Sequence, residues 1–182
     1  MFRHRLTGGA ELRLMERRHA EQIYTVVERN REYLRKWLPW VDKTHSAADT
    51  RAFIDSAIAQ FADTNGLAAG IWVRGRFAGA IGMHAVDWNN CASSIGYWID
   101  EAHQGRGLVT AACRAVLAYI FEDLKLNRVE IRAGVRNRKS RAIPVRLGFR
   151  KEGVLREAGW LGDRYTDLVV YSMLASEWQP EK

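Results

Sequence analysis

Three groups of residues in this chain have types and spacings suited to chemistry. The first is Gln104-Gly-Arg-Gly-Leu-Val109, which follows the alternating run ending at Ile99 and leads directly into a helical pattern. A glycine turn between a strand and a helix offers a phosphate a row of unpaired backbone N–H groups and the positive end of a helix dipole. Gly105 and Gly107 remove the side chains that would hold a pyrophosphate off the backbone, and Arg106 can add charge from the flank. The turn is not a Walker loop, because no Gly-Lys-Ser/Thr follows it. Nor is it a dinucleotide fingerprint, since the third glycine is missing and the turn lies mid-chain. Taken alone, such a turn also serves as a plain helix start.

The second group is Asn137-Arg-Lys-Ser140, placed where a strand pattern gives way to a short helix. Val129, Ile131, Ala133 and Val135 alternate there with Arg128, Glu130 and Arg132. The helix ends in Gly148-Phe149-Arg-Lys-Glu152-Gly153. The third group is aromatic: Trp37 and Trp40 in one segment, then Trp98, Trp160 and Tyr165. Packing accounts for such rings as readily as a ligand groove does.

The elements that must position these groups read from periodicity. Glu11–Leu14 is a first strand, followed by helical periodicity from about Arg17 to Val41. Ser46 is a helix N-cap, with Phe53, Ile54, Ala57, Ile58 and Phe61 on one face of its helix. A hairpin runs from Leu67–Val73 through Arg74-Gly75 into Phe77–Val86. The glycine turn is followed by a helix bearing Leu108, Ala111, Ala112, Ala115, Val116, Tyr119 and Ile120 on its apolar side. The strand Arg128–Val135, a helix to Leu147, and closing strands Phe149–Leu155 and Tyr165–Met173 complete the chain. The expectation is an α/β (α+β) fold, a mixed sheet with helices on both faces, formed as one domain over residues 1–182.

Composition narrows the function classes. At 182 residues with 47% hydrophobic and 27% charged residues, the chain can bury a core without metal or disulfide staples. No apolar run suits a membrane span and Met1-Phe-Arg-His-Arg lacks the apolar stretch of a signal peptide, so a cytoplasmic location is expected. Cys91 and Cys113 read as free thiols, and no His/Cys cluster suggests a metal. The net charge of +7 favours anionic partners. Basic residues crowd at Arg136, Arg138, Lys139, Arg141, Arg146, Arg150 and Lys151, a pattern that a solvated helix face also produces. No aromatics interleave with them, so direct nucleic-acid binding is not expected.

Gln104-Gly-Arg-Gly-Leu-Val109 resembles the Gln/Arg-x-x-Gly-x-Gly/Ala loop of the GCN5-related N-acetyltransferase (GNAT) superfamily, with Val109 standing where the pattern has Gly or Ala. Asn137-x-x-Ser140 and the following Gly-Phe-x-x-Glu-Gly resemble its second block. With Tyr33–Trp40 and Gly96-Tyr97-Trp98, the resemblance narrows to the RimJ/RimL-type ribosomal-protein N-terminal acetyltransferases, over a core of about residues 11–178. It implies a mixed, mostly antiparallel twisted sheet of about seven strands, splayed at an acetyl-CoA cleft. Backbone groups of Trp98 and Ile99 would pair with the pantetheine arm. The N–H groups of Gln104, Gly105, Arg106, Gly107, Leu108 and Val109 would hold the pyrophosphate. Asn137 would hydrogen-bond the pantetheine or simply cap its helix.

The same resemblance makes Ser140 the general acid to the departing thiolate, or else a cap. Other branches use a tyrosine where this chain has Pro144, and a strand glutamate where it has Arg132. Glu157 and Glu101 remain as candidate bases. Trp37, Trp40, Trp160 and Tyr165 would wall the acceptor pocket. The implied reaction is acetyl transfer from acetyl-CoA to an amine, foremost the N-terminal α-amino group of a ribosomal protein. The alternatives are a small amine (polyamine, amino acid or antibiotic) or a non-catalytic acetyl-CoA-binding module. No metal is implied, and a homodimer is expected only by family likeness.

Overall fold

A computed structural model describes residues 3–180. Eight strands form one sheet: β1 (Arg3–Arg5), β2 (Ala10–Leu14), β3 (Leu67–Val73), β4 (Arg76–Met83), β5 (Ala92–Ile99), β6 (Arg128–Gly134), β7 (Arg150–Trp160) and β8 (Tyr165–Leu174). Their spatial order is β1-β2-β3-β4-β5-β6-β8-β7. Every neighbouring pair is antiparallel except β5 and β6, which run parallel. That parallel pairing covers only Ala92–Ser94 against Arg128–Glu130, after which the two strands diverge.

Alternation along the strands sends side chains to two separate cores. Ile71, Ile81, Ile95, Val129 and Ile131 pack beneath helix α4 (Leu108–Ala118), with Leu108, Ala112, Cys113, Val116 and Leu117. On the opposite face Trp72, Phe77 and Ala80 pack beneath helices α1 (Ala20–Arg29), α2 (Arg31–Leu34) and α3 (Ala47–Ala62), with Ile23, Val27, Leu34 and Ile54. Burial of this kind is worth about 1.5–3 kcal/mol per large apolar side chain, which makes the two clusters the main source of stability. Helix α5 (Arg138–Arg146) closes the far end beside β6 and β7.

Four differences from the sequence expectations have physical causes. The sheet has eight strands rather than about seven, because the three-residue Arg-His-Arg strand β1 is too short and polar to show a period. It pairs with β2, and Glu11 accepts from the side chains of Arg3 and Arg13. The stretch from Arg17 to Val41 is not one helix. Asn30 leaves helical geometry at φ −105° and ψ 8°, and the segment Pro39–Lys43 forms a separate 3-10 turn. Arg31 fastens that turn by donating to the carbonyls of Val41 and Thr44, both at 2.6 Å.

Ser46 does cap α3: its Oγ accepts from the Asp49 N–H at 3.3 Å while the Asp49 carboxylate accepts from the Ser46 N–H at 2.9 Å. The apolar face of α3 is narrower than its sequence suggests. Thr50, Ile54 and Ala57 are buried, whereas Phe53, Ile58 and Phe61 are exposed. The helix rests outermost on α1 and β3, so only one stripe is covered. Finally, β7 extends to Trp160 through a register shift between Leu155 and Gly159, beyond the expected end at Leu155.

One glycine sets the spacing of the central strands. A Cβ on Gly79 of β4 would lie 2.4 Å from the Trp98 carbonyl oxygen and 2.8 Å from the Ile99 Cα. Substituting Gly79→Ala should therefore push β5 aside at its C-terminal end and cost roughly 2–3 kcal/mol, as overpacking does. Urea denaturation reads the loss; an unchanged midpoint would show that β5 is not held so closely.

Candidate functional site

The divergence of β5 and β6 opens a cleft of about 1370 Å³. On one face of the sheet it is lined by Leu108, Val109, Ala115 and Ile143, and on the other by Tyr33, Trp37, Leu38 and Trp98. The cleft therefore passes through the sheet from one core to the other.

The phosphate-loop residues are all at this cleft: Gln104, Gly105, Arg106, Gly107, Leu108 and Val109 line it, as do Trp98, Ile99, Asn137 and Ser140. Gly105 (φ 73°) and Gly107 (φ 72°) occupy the left-handed region, and no atom lies within 4 Å of a Cβ built on either. Conformation, not space, demands glycine here. Gly107 is also the N-cap of α4 and brings no capping side chain, so the first turn presents its N–H groups outward. Val109 is buried in the core beneath the loop. Beyond the last β6 pair, residues Ile95–Ile99 keep a strand edge facing the gap, where an extended chain can pair. Loop, edge and gap together fit a diphosphate-bearing ligand with a long extended arm.

The loop is anchored at its base. Asp100, 3% exposed, accepts from His103 Nδ1 at 2.8 Å and from the guanidinium of Arg29 at the end of α1. Asn30, equally buried, accepts from the Glu101 N–H at 3.0 Å and donates to the Val26 carbonyl at 2.8 Å. Burial pushes the Asp100 carboxyl up, but bonds from His103 and Asn30 and the charge of Arg29 outweigh it, so the group sits below the ordinary carboxylate range.

Across the gap, α5 carries Ser140. Asn137 caps this helix by accepting from the Ser140 N–H at 3.1 Å. Pro144 stands four residues after Ser140 and has no N–H to give to the Ser140 carbonyl. Tyr97 of β5 fills the vacancy, its hydroxyl donating to that carbonyl at 3.0 Å, with Ser140 Oγ 3.5 Å away. Burial pushes the Tyr97 phenol far above its ordinary value, so it stays a neutral donor. A proline in α5 is thus matched by a tyrosine on the opposite wall.

The remaining site residues named from sequence divide between the cleft and its surroundings. Trp37 lines the cleft and its ring approaches Gly134. Trp40 sits at the rim, its ring 5.9 Å from that of Trp98, outside the cleft lining. The rings of Trp160 and Tyr165 meet at a tilt, their centroids 4.8 Å apart, near the end of the β7–β8 hairpin, both exposed. The adjoining turn brings Gly162 close to Asp42. Neither Glu101 nor Glu157 lines the cleft. Glu157 is exposed at the β7 bulge with φ 50°, where its N–H donates to Asp167. Arg132 lines the cleft and pairs with Glu130 at 2.8 Å.

Several contributors escaped sequence reading. Tyr97 alternates with apolar Ile95 and Ile99 and so reads as core; Pro144 at a spacing of four from Ser140 was the signal for its role. Tyr33, Leu168 and Ile143 reach the cleft only through tertiary structure. Of the basic run, Arg141 serves packing, donating to Tyr171 Oη at 3.1 Å and the Val135 carbonyl at 2.7 Å. Arg146 ties α5 to α4 through Thr110 at 2.9 Å. Among the described residues no group of three His, Cys, Asp or Glu forms a metal site, and no helix is long and apolar enough to cross a membrane.

Comparison with known proteins agrees with this geometry. The family model described as an acetyltransferase (GNAT) domain matches residues 10–150. The putative ribosomal N-acetyltransferase YdaF of Bacillus subtilis is 40% identical, the alignment covering 100% of each chain. The ribosomal-protein-serine acetyltransferase of Escherichia coli is 27% identical over 93% of this chain and 95% of its own. The solved structure of RimL, the ribosomal L7/L12 alpha-N-protein acetyltransferase in complex with coenzyme A, superimposes with a TM-score of 0.91. It is 25% identical, with 95% of this chain and 98% of that one covered.

Two outcomes are expected from the site's construction. Tyr97→Phe should cost about 1 kcal/mol by leaving the Ser140 carbonyl unpaired, and markedly less in a Pro144→Ala background that restores an N–H. Equal costs in both backgrounds, measured by urea denaturation, would refute the pairing. Asp100→Asn should destabilise the protein by about 1–3 kcal/mol near neutral pH, with allowance for the solvent-exposed Arg29. Because the folded carboxyl titrates below its unfolded value, its contribution is complete above about pH 4. It fades as the pH falls through the lower folded value, so the two proteins should converge in acid. A gap that persists at low pH would mean the carboxylate is not the source.

Proposed function

This chain belongs to the GNAT acetyltransferase family and is an acetyl-CoA-dependent N-acetyltransferase, and on that premise we propose that its acceptor is the N-terminal α-amino group of a ribosomal protein. The observation that carries this reading is the cleft that passes through the sheet. The phosphate loop lies at one mouth and the slot between Trp37, Leu38, Gly134 and Leu168 at the other. An extended chain terminus can enter from the second mouth without crossing the cofactor. The names of the two ribosomal relatives and of the RimL structure support the same acceptor class, and a cytosolic location follows from it.

When bound, acetyl-CoA supplies the acetyl group as a reactive thioester. Backbone N–H groups from Gln104 to Val109 would hold its diphosphate, and the free edge of β5 at Trp98 and Ile99 would align the pantetheine arm. Ser140 Oγ, on the wall of the cleft, would hand a proton to the departing sulfur. Tyr97 holds the Ser140 carbonyl and thereby fixes where that hydroxyl points. Asn137 adds the cap that starts the helix at the right residue. These contributions are chiefly positional, and positioning of reacting groups is a large part of such catalysis.

Proton removal from the amine is assigned to solvent at the open acceptor mouth. Glu101 and Glu157 stand away from the cleft lining, and Arg132 there has the wrong charge for a base. An α-amino group suits this arrangement, since its ordinary pKa of about 7.7–8.0 leaves a usable neutral fraction.

Intact-mass spectrometry of ribosomal proteins incubated with enzyme and acetyl-CoA tests the acceptor. One protein should gain about 42 Da at its N-terminus, and no gain on any of them would reject it. With that substrate, Ser140→Ala should lower kcat about tenfold or more while coenzyme A affinity stays nearly unchanged. An unaltered kcat would remove Ser140 from proton transfer.

A further inference from the structure

The wall opposite the phosphate loop carries a cation that the mechanism above leaves unused. Lys139 lies in the first turn of α5, immediately before Ser140, and its Nζ donates to Gln104 Oε1 at 2.7 Å. The amide nitrogen of the same Gln104 donates to the Tyr33 hydroxyl on α2. A single glutamine side chain thus spans the cleft mouth and ties three elements together.

Among the described residues no carboxylate pairs with Lys139. Of its basic neighbours, Arg141 is engaged with Tyr171 and Val135, and Arg146 with the Thr110 hydroxyl in the first turn of α4. An ammonium resting on a neutral amide oxygen has a weak partner. A phosphate oxygen is a stronger one, because it adds the attraction of a full opposite charge to the same hydrogen bond. The amide oxygen that Lys139 now touches belongs to the residue that opens the phosphate loop. A lysine also suits an exchange of partners, since its compact charge rides on a flexible stem.

We propose that Lys139 is a diphosphate ligand contributed by the wall opposite the phosphate loop, trading the Gln104 amide for the diphosphate of coenzyme A when the cofactor binds. Cofactor binding then joins the two walls of the cleft through charge. It also frees the Gln104 side chain from α5, leaving it to Tyr33 on the acceptor side. The inference rests on the cofactor assignment and adds a residue that the glycine loop does not predict.

Isothermal titration of the full-length protein with coenzyme A and with 3′-dephospho-coenzyme A tests it, since both ligands carry the diphosphate. Lys139→Gln should weaken both by about tenfold and make binding less sensitive to salt, and Lys139→Arg should restore most of the affinity. Unchanged affinity for both ligands would overturn the proposal. Weakening confined to coenzyme A would also overturn it, by assigning Lys139 to the 3′-phosphate. Thermal melts of the ligand-free variants separate a folding effect: loss of stability with no rescue by arginine would make Lys139 a structural residue. Failure of the wild-type protein to bind either ligand would instead count against the cofactor assignment itself.

Discussion

Parallel strands share hydrogen bonds only while they stay about 4.8 Å apart, and β5 and β6 do so for three residue pairs before parting. Everything at the site follows from that short contact. The first pairs hold the two halves of the sheet together, and the divergence then leaves a strand edge and a passage between two cores. An unpaired strand edge offers its backbone groups to a partner, so the gap is suited to an extended ligand. The parallel contact also explains the connection between these strands, since a parallel neighbour requires a crossover. Here the crossover is α4, and its start is the phosphate loop.

The walls of the gap are held by specific polar bonds rather than by packing alone. Asp100 and Asn30 tie the base of the loop to the end of α1. On the other wall the Arg128–Glu152 pair, at 2.6 Å, joins β6 to β7 with Ser172 accepted by the same carboxylate. The Arg128 guanidinium and the Ser172 hydroxyl hold the Glu152 carboxyl down at about 2, so this link is charged throughout the physiological range. Tyr97, Gln104 and Thr110 each join the loop-bearing wall to α5.

Much of this was legible in the chain itself. Apolar patterning and turn residues identified seven strands, and the Ser46 cap was readable from the apolar helix that follows it. The phosphate loop was readable because left-handed backbone calls for glycine. What escaped depends on distance. No periodicity shows that the helical stretch after Arg17 must fold back at Asn30 to meet Glu101, seventy-one residues away. The aromatic residues Trp160 and Tyr165 were expected from the family resemblance as pocket walls, yet their rings meet each other at a hairpin end. Neighbours in the sequence such as Tyr97 and Trp98 point to opposite faces, which sequence alternation implies but which gains meaning only once the gap between the cores is known.

The separation of the two cores has a further consequence, for how such a protein can change over generations. Tyr97 and Ile99 pack with the core under the cofactor helix, whereas Trp98 packs with the core under the acceptor helices. Substitutions that share no partners combine nearly additively, so residues on one face can vary without compensating changes on the other. Alleles that reshape one mouth of the cleft can therefore accumulate while the other keeps its geometry. A sheet with a separate core on each face is, in this sense, a modular inheritance: one half can change while the other keeps its shape.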